Sequence, residues 1–172
     1  MQSRTGRREI DVVNRVNVFP VIDEIWPEFR SCLLRRKGQI VPAFPGLAHV
    51  AVTVSDLDQS TAWYSALFGS DPVLDEDEES GDFHHTVFVL DGGQLFGLHT
   101  HREPNDDKFD ERRPGLDHVS FACRDRDELA TWESRLTELG IGHRGIKDAH
   151  YGSGISFRDP DGIALEFFAP PA

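Results

Sequence analysis

The stretch GLAHVAVTVSDLDQSTAWYSALFG, residues Gly46–Gly69, contains the local signals of two consecutive secondary-structure elements. Its first half, HVAVTV, alternates apolar and polar residues in the way that predicts a half-buried β-strand. Asp56 then precedes a segment with an apolar stripe at helical spacing, and its carboxylate can accept the free N–H groups of a helix N-terminus. The stretch therefore predicts a strand that leads into a helix, with His49 at the head of the strand.

The same pattern recurs 69 residues later as GLDHVSFACRDRDELATWESRLTELG, residues 115–140. Nine residues are identical at this offset. The pairs are Gly46 and Gly115, Leu47 and Leu116, His49 and His118, Val50 and Val119, Asp56 and Asp125, Asp58 and Asp127, Trp63 and Trp132, Ser65 and Ser134, and Leu67 and Leu136. An internal repeat of this kind indicates two copies of one structural unit. The two tryptophans lie on the apolar stripes of the helices and are predicted to be core residues.

Three short strands are predicted after each helix. They are DPVLDE, DFHHTVFVL and QLFGLHT in the first copy and IGHRGI, GISFR and IALEFF in the second. The turn residues Asp91–Gly93 and Asp159–Gly162 precede the last strand of each copy, as hairpin chemistry requires. We therefore predict an α+β fold of two tandem βαβββ modules, at about 46–102 and 115–170, which form a curved mixed sheet.

Composition restricts the class of protein. A chain of 172 residues, 38% of them hydrophobic, can bury a core without disulfides. Cys32 and Cys123 form no CxxC motif, so we predict buried thiols in a reducing cytoplasm. No apolar run is long enough to cross a bilayer, and a net charge of −12 disfavours a nucleic-acid partner. These features predict a cytoplasmic protein that binds neither membranes nor nucleic acid.

The charge is unevenly distributed along the chain. Residues 1–44 carry a net charge of +3 and the remainder carries −15, with a change in composition near Pro42–Pro45. We therefore predict an N-terminal extension at 1–44, partly helical near Pro27, and one domain at 45–172. The extension could instead be a partly ordered arm or an overlong gene start, and a partner-binding role for it is a separate hypothesis.

Three residues have the chemistry of a metal site. His49 and His118 occupy equivalent positions in the two modules, and their strands could be neighbours if the modules pack side by side. Glu166 lies in the otherwise apolar strand IALEFF, where a carboxylate needs a cation or hydrogen-bond donors. Two histidines and one carboxylate are the set that holds Fe(II) or Mn(II) with positions open for substrate, and Zn(II), Ni(II) or Co(II) can occupy similar sets. The alternative is that the histidines are ordinary hydrogen-bonded core residues.

The paired modules, the two H-V openings and the closing DPDGIALEFF resemble the vicinal oxygen chelate superfamily, which comprises glyoxalases, bleomycin-resistance proteins and dioxygenases. The resemblance covers Gly46 to about Pro170. It implies a half-open cavity with helices outside, metal ligands at His49, His118 and Glu166, a substrate that chelates the metal through adjacent oxygens, and a homodimer. It does not specify the reaction.

The sequence departs from particular members of the superfamily at site positions, and these departures disfavour some of the family's activities. Glyoxalase I and methylmalonyl-CoA epimerases supply a fourth ligand where this chain has Gly97, so these activities are disfavoured. Extradiol dioxygenases have a tyrosine where Ser156 stands, although His150 and Tyr151 could lie near the cavity and act there. His99 and His101 share strand parity with Gly97, and His99 is the candidate general base or substrate contact. The alternative for His99 is a solvent-exposed histidine at the end of a strand.

Other histidines and charged segments carry less functional information. His84 and His85 are adjacent in one strand, so at most one of them faces the cavity. The acidic run Asp75–Ser80 is predicted to be a solvated loop, and residues 101–115 a linker between the modules rather than a lid.

Two functions follow from these observations. The first is a divalent-metal-dependent enzyme, of the dioxygenase or lyase type, that acts on a small oxygen-rich or aromatic metabolite. The second is a metal-free protein that sequesters a drug or other small molecule, as bleomycin-resistance proteins do. The complete His, His, Glu set favours the first.

Overall fold

Each module forms a four-stranded mixed sheet with one helix packed on it. The computed structural model describes residues 45–104 and 107–171; the predicted extension at 1–44, including Cys32, lies outside the described residues. The first module contains β1 (His49–Thr53), α1 (Leu57–Phe68), β2 (Leu74–Asp77), β3 (Phe83–Val89) and β4 (Leu95–His101). The second contains β5 (Val119–Ala122), α2 (Arg126–Glu138), β6 (Lys147–Ala149), β7 (Gly152–Arg158) and β8 (Ala164–Ala169). The predicted pair of βαβββ modules is confirmed.

The strand order is the same in the two sheets. It is β1-β4-β3-β2 in the first and β5-β8-β7-β6 in the second. The first strand of each module runs parallel to the last, and the other neighbours are antiparallel. The repeat extends to single residues, since Ala51 pairs with Gly97 and Ser120 pairs with Glu166 at the same offset of 69.

Local sequence explains where the helices begin and end. Asp56 accepts a hydrogen bond from the backbone N–H of Gln59, and Asp125 accepts one from Glu128, so both aspartates are N-caps. Gly69 ends α1 in the left-handed conformation, with φ of 71°, and Gly140 follows α2 with φ of 68°. These caps confirm the helix boundaries predicted from the sequence.

One hydrophobic core joins the two modules. Phe96 of β4 packs against Phe121 of β5 with ring centroids 5.8 Å apart, and Trp63 of α1 lies 6.4 Å from Phe157 of β7. Trp132 stacks on Phe167 at 4.3 Å, and both tryptophans are half-buried and pack against this core, in agreement with the prediction. Because the helices and this core cover only one face of each sheet, the opposite faces remain exposed.

Cys123 is buried, and its burial raises the pKa of the thiol to about 12. The thiolate is the nucleophilic form of cysteine, so this residue acts as a small hydrophobe, in agreement with the prediction. No helix in the described part of the chain is both long enough and apolar enough to cross a membrane.

Three predictions about strands require correction. The strand predicted at IGHRGI is absent: Gly145 has φ of 76°, only an isolated bridge links His143 to Phe157, and the strand lies further on, at β6. Asp75–Asp77, predicted to be in a loop, belongs to β2. The first strands of the modules are not neighbours, because β1 and β5 each pair with the last strand of their own module.

Candidate metal centre

The exposed sheet faces carry the predicted ligands. In β1, Val52 points into the core whereas His49 is exposed. In β8, Leu165 and Phe167 are buried and Glu166, between them, points to the opposite face. Alternation along the strands therefore keeps the ligand candidates out of the core, which excludes the alternative that His49 is a core histidine.

His118 and Glu166 come together on the face of the second sheet. The Nε2 atom of His118 lies 3.7 Å from Oε2 of Glu166. The Nδ1 atom of His118 lies 2.6 Å from Oδ1 of Asp117. Because a carboxylate only accepts hydrogen bonds, Nδ1 carries the proton and the lone pair of a neutral ring is on Nε2. A carboxylate that orients a histidine in this way is the usual outer partner of a metal-ligating imidazole.

The surroundings of Glu166 favour a fixed carboxylate orientation. Ser120 donates a hydrogen bond to Oε2 over 3.0 Å. On the other side, a Cβ atom at Gly154 would lie 2.7 Å from Oε1, so only glycine leaves the carboxylate its space. The donor set of one imidazole nitrogen and one carboxylate oxygen fits a divalent transition metal.

No third ligand joins His118 and Glu166 among the described residues of the same chain. No group of three or more His, Cys, Asp or Glu side chains within residues 45–104 and 107–171 is placed to hold a metal ion. His49 stands at the equivalent position on the first sheet, which shares no strand pairing with the second. The candidate ligands therefore lie in two places: His49 on the first sheet, called here the first half-site, and His118 with Glu166 on the second sheet, called the second half-site.

Three histidines cluster on the exposed face of the first sheet. His85 of β3 lies directly opposite His99 of β4, with ring centroids 5.2 Å apart, and His101 lies 6.5 Å from His99. Phe83 stacks on His99 at 4.8 Å. The ring of His99 covers Gly97, since its Nε2 lies 3.2 Å from where a Cβ atom at Gly97 would be. The shared orientation predicted for His99 and His101 is confirmed.

Burial lowers the pKa of His99, and the nearby imidazoles His85, His101 and His49 lower it further. His99 is therefore neutral at pH 7 and able to accept a proton. His85 has a buried Nε2 without a hydrogen-bond partner in the described part of the chain, and this atom lies 3.7 Å from Glu76. His84 faces the other way, between Asp75 and Asp77 at 2.7 and 2.8 Å, so only one of the adjacent pair faces the cluster.

His150 and Tyr151 lie beside the second half-site. Tyr151 stacks on Phe168 with ring centroids 6.3 Å apart, and Phe168 is two residues beyond Glu166 on the same face of β8. The ring of His150 meets that of Tyr151 edge-on at 5.2 Å. Tyr151 is 62% exposed, so its ring is available to a ligand on this face.

Sequence reasoning missed Asp117, Ser120 and His85 as site residues. Residues two apart in a strand point to the same face of the sheet. This rule could have identified Ser120, two residues from His118, and it places His85 on the same face as Phe83. Asp117 directly precedes His118, and no spacing rule distinguishes this carboxylate from a solvated one.

The chain belongs to the glyoxalase/bleomycin resistance protein/dioxygenase superfamily, whose family model matches residues 46–167. A crystallised glyoxylase/bleomycin resistance protein/dioxygenase domain from Frankia sp. EAN1pec is similar to it. The identity is 33%, the TM-score is 0.68, and the match covers 75% of this chain and 100% of that one. The predicted superfamily is therefore confirmed.

Named relatives include two kinds of enzyme. A putative ring-cleaving dioxygenase, MhqA of Bacillus subtilis, is 26% identical over 72% of this chain but only 39% of its own length. A metallothiol transferase, FosB of Bacillus licheniformis, is 28% identical over 70% of this chain and 73% of its own. This chain thus spans about two fifths of the dioxygenase.

The fosfomycin resistance protein FosX of Listeria monocytogenes has a similar fold. Its structure with Mn(II) and 1S,2S-dihydroxypropylphosphonic acid has a TM-score of 0.55 at 18% identity, covering 75% of this chain and 95% of that one. At this identity the likeness concerns the fold alone.

Proposed function

We propose that this chain is a divalent-metal-dependent enzyme that acts on a small oxygen-rich or aromatic metabolite. The observation that carries the proposal is the His118–Glu166 pair, in which Asp117 directs the lone pair of the imidazole toward the carboxylate. Glu166 would otherwise be a half-buried carboxylate held in place by Ser120 without a cation. The metallothiol transferase and dioxygenase relatives support an enzyme over a purely structural role.

The third ligand in this proposal is His49 of a second copy of the chain. His49 and the His118–Glu166 pair lie on exposed faces of different sheets, and the described residues of one chain complete neither half-site. In a homodimer the first sheet of one copy covers the second sheet of the other, so two complete His, His, Glu sites result. This set suits Fe(II) or Mn(II) first, with Zn(II), Ni(II) or Co(II) as alternatives.

The bound metal supplies Lewis acidity and open positions for two adjacent oxygens of the substrate. The protein supplies a largely aromatic surface beside the candidate metal site. Phe83 stacks on His99 in the first sheet, and Tyr151 stacks on Phe168 in the second. These ring faces favour an aromatic substrate, so oxidative ring opening of an aromatic diol is the first reaction to test, although Ser156 stands where extradiol dioxygenases have a tyrosine. Both atoms of O₂ enter the product of that reaction, which therefore needs no external reductant.

His99 is the proton acceptor in this scheme. Its ring fills the space above Gly97, its pKa is lowered by burial, and it is neutral when the substrate arrives. It can take a proton from a substrate hydroxyl, while His85 faces it from the neighbouring strand. His150 and Tyr151 are substrate contacts at the rim of the second half-site.

The described part of a single chain holds no complete ligand set, and this favours a second candidate, a metal-free small-molecule-binding protein. The two candidates differ in what substitution of a ligand does. In the metal-free case, alanine at His118 leaves ligand affinity intact. In the metalloenzyme it removes the metal and the activity together.

The deciding experiment is elemental analysis of anaerobically purified full-length protein. We expect about one transition-metal ion per chain in the wild type, and loss of this ion in His118→Ala and Glu166→Ala. His84→Ala is the matched control, because His84 faces away from the site and should leave the metal content unchanged. Absence of metal after reconstitution with Fe(II), Mn(II) and Zn(II) in turn contradicts the proposal. O₂ uptake with catechol then tests the reaction.

A further inference from the structure

A positively charged cleft lies beside the second half-site. It has a volume of about 660 Å³, and the charged residues that line it are Arg144, Lys147, Arg158 and Glu111. The charged side chains of the cleft therefore have a local net charge of +2, whereas the whole chain carries −12. Clefts of this size commonly hold small molecules.

Two of the three cationic side chains in the cleft have no hydrogen-bond or ion-pair partner among the described residues. Arg158 is engaged, since its guanidinium donates to Glu111 over 2.7 and 3.1 Å and to the carbonyl of Gly162 over 2.9 Å. The Arg158 guanidinium lowers the pKa of the Glu111 carboxyl to about 2, so this ion pair persists across the ordinary pH range. Arg144 and Lys147, in contrast, make no side-chain hydrogen bond or ion pair with any described residue.

Two further polar side chains line the cleft, those of His143 and Ser156. His143 accepts a hydrogen bond from the backbone N–H of Gly145 at Nδ1, over 3.3 Å, and its Nε2 donates to Thr137 over 2.9 Å. Both ring nitrogens of His143 therefore already have hydrogen-bond partners within the fold. Ser156 contributes a hydroxyl, and it pairs directly with Glu166 across β7 and β8. The cleft thus begins one strand away from a proposed metal ligand.

We infer that this cleft binds the oxyanion group, a carboxylate or phosphate, of a small molecule, with Arg144 and Lys147 as its cationic ligands. Hydrogen bonds from charged donors to oxyanions are stronger than hydrogen bonds between neutral groups. The assignment of the bound molecule as the substrate rests on the proposed function, because Ser156 places the cleft next to Glu166. Binding of the oxyanion itself does not require the metal.

The test is an NMR titration of the full-length, metal-free protein at low ionic strength. Inorganic phosphate and benzoate are the two probes, and the amide signals of Gly142, Gly145 and Ser156 in the cleft are followed. The variant that should lose binding is Arg144→Gln/Lys147→Gln, which removes both cationic ligands. The matched control is Arg102→Gln/Arg124→Gln, which removes the same charge from exposed positions outside the cleft.

We expect both the wild type and the control to bind at least one probe with shifts at the cleft amides. The Arg144→Gln/Lys147→Gln variant should bind at least about tenfold more weakly, since two charge-assisted hydrogen bonds are lost. The conservative variant Arg144→Lys/Lys147→Arg keeps both positive charges and should bind more tightly than Arg144→Gln/Lys147→Gln. Tighter binding of benzoate assigns the group to an aromatic carboxylate, and tighter binding of phosphate assigns it to a phosphorylated molecule.

Equal affinities in the variant and the control, or wild-type shifts that avoid the cleft amides, overturn the inference. Because the protein is metal-free throughout, this result is independent of the metal analysis. A chain that binds no metal but shows the expected titration retains the oxyanion site and loses only the proposed enzyme activity.

Discussion

His118 and Glu166 lie with Nε2 and Oε2 3.7 Å apart although they are separated by 47 residues of chain. Their strands, β5 and β8, are parallel neighbours, and the pairing of Ser120 with Glu166 sets the register that brings them together. In the first module the same register pairs Ala51 with Gly97, which has no side chain to donate. The two modules share a fold, but the second carries two of the candidate metal ligands and the first carries one, His49.

A shared site makes a specific prediction for mixed dimers. His49→Ala and Glu166→Ala homodimers should each lose the metal. A dimer that combines one chain of each kind should regain one intact site of the two, because the native His49 of one copy meets His118 and Glu166 of the other. Elemental analysis of differently tagged, co-purified dimers should give about half the wild-type metal content.

A site built within one chain gives a different result. Every site in the mixed dimer then lacks one ligand, and the metal content stays near zero. A mixture of the two homodimers is the control, and it should also contain no metal.

Gly154→Ala should weaken metal binding without unfolding the protein. The new methyl group would lie 2.7 Å from Oε1 of Glu166, so the carboxylate must turn away from His118. Loss of a ligand's proper orientation typically reduces metal affinity by about 10- to 100-fold. The affinity can be measured by competition with a chelator.

The control for this variant is Gly142→Ala, since no atom lies within 4 Å of a Cβ atom at Gly142. Equal affinities in the two variants would show that the carboxylate orientation set by Gly154 does not matter for the metal.

The internal repeat explains why so much of the fold was predictable. Local signals such as the Asp56 and Asp125 caps depend on a few neighbouring residues and act in the same way in any context. Strand alternation likewise predicted that His99 and His101 share a face. The displaced strand β6 was missed because Gly145 interrupts the extended backbone, and its three residues carry no hydrophobic alternation.

The arrangement of the half-sites was not predictable in the same way. Whether β1 pairs with β5 or only with β4 depends on how two sheets pack through a common core, including contacts such as Phe96 with Phe121. Such contacts join residues far apart in the chain and leave no periodic signal. The repeat predicted which residues are equivalent, but it did not predict that His49 would lie apart from His118 and Glu166.

Tyr64→Phe should destabilise the interface between the modules. The buried Tyr64 hydroxyl donates a hydrogen bond to Oδ2 of Asp159 over 3.0 Å, and the carboxylate that remains would lose a buried donor. A loss of about 1–3 kcal/mol in the free energy of unfolding is expected. Urea denaturation measures it, with the exposed Tyr151→Phe as the control.

The cost of Tyr64→Phe should depend on pH. Burial raises the pKa of Asp159, and Tyr64 opposes this rise by hydrogen bonding to the ionised form. Without Tyr64 the pKa of Asp159 in the folded protein rises further. The stability of the variant therefore falls more than that of the wild type as the pH rises from the unfolded pKa of Asp159 through its folded pKa. The destabilisation should therefore be smaller when Asp159 is protonated. A cost that is the same at low and neutral pH would contradict this account of the contact.

His99→Gln should separate metal binding from catalysis. The variant should keep the wild-type metal content, because His99 is not a ligand, and lose about 10²- to 10⁴-fold in turnover with catechol. His101→Gln is the matched control, a neighbouring histidine on the same face of β4 without an assigned role. If His99→Gln loses the metal as well, the residue contributes to the metal site and is not only a proton acceptor.

His84 should titrate above its ordinary pKa and stabilise the protein in mildly acidic solution. Hydrogen bonds to Asp75 and Asp77 raise its pKa, since both carboxylates favour the protonated ring. The folded pKa exceeds the unfolded one, so the stabilisation is fully present below pH 6.5 and is lost as pH rises through the folded pKa. For so exposed a group, screening limits the effect to about 1 kcal/mol or less. The control is Asp71→Asn/Asp91→Asn, which removes the same charge elsewhere. Relative to this control, Asp75→Asn/Asp77→Asn should lower the free energy of unfolding at pH 5.5 and leave it nearly unchanged at pH 8.5. Equal effects of the two double variants at pH 5.5 would mean that general charge, and not the contacts of His84, controls this part of the stability profile.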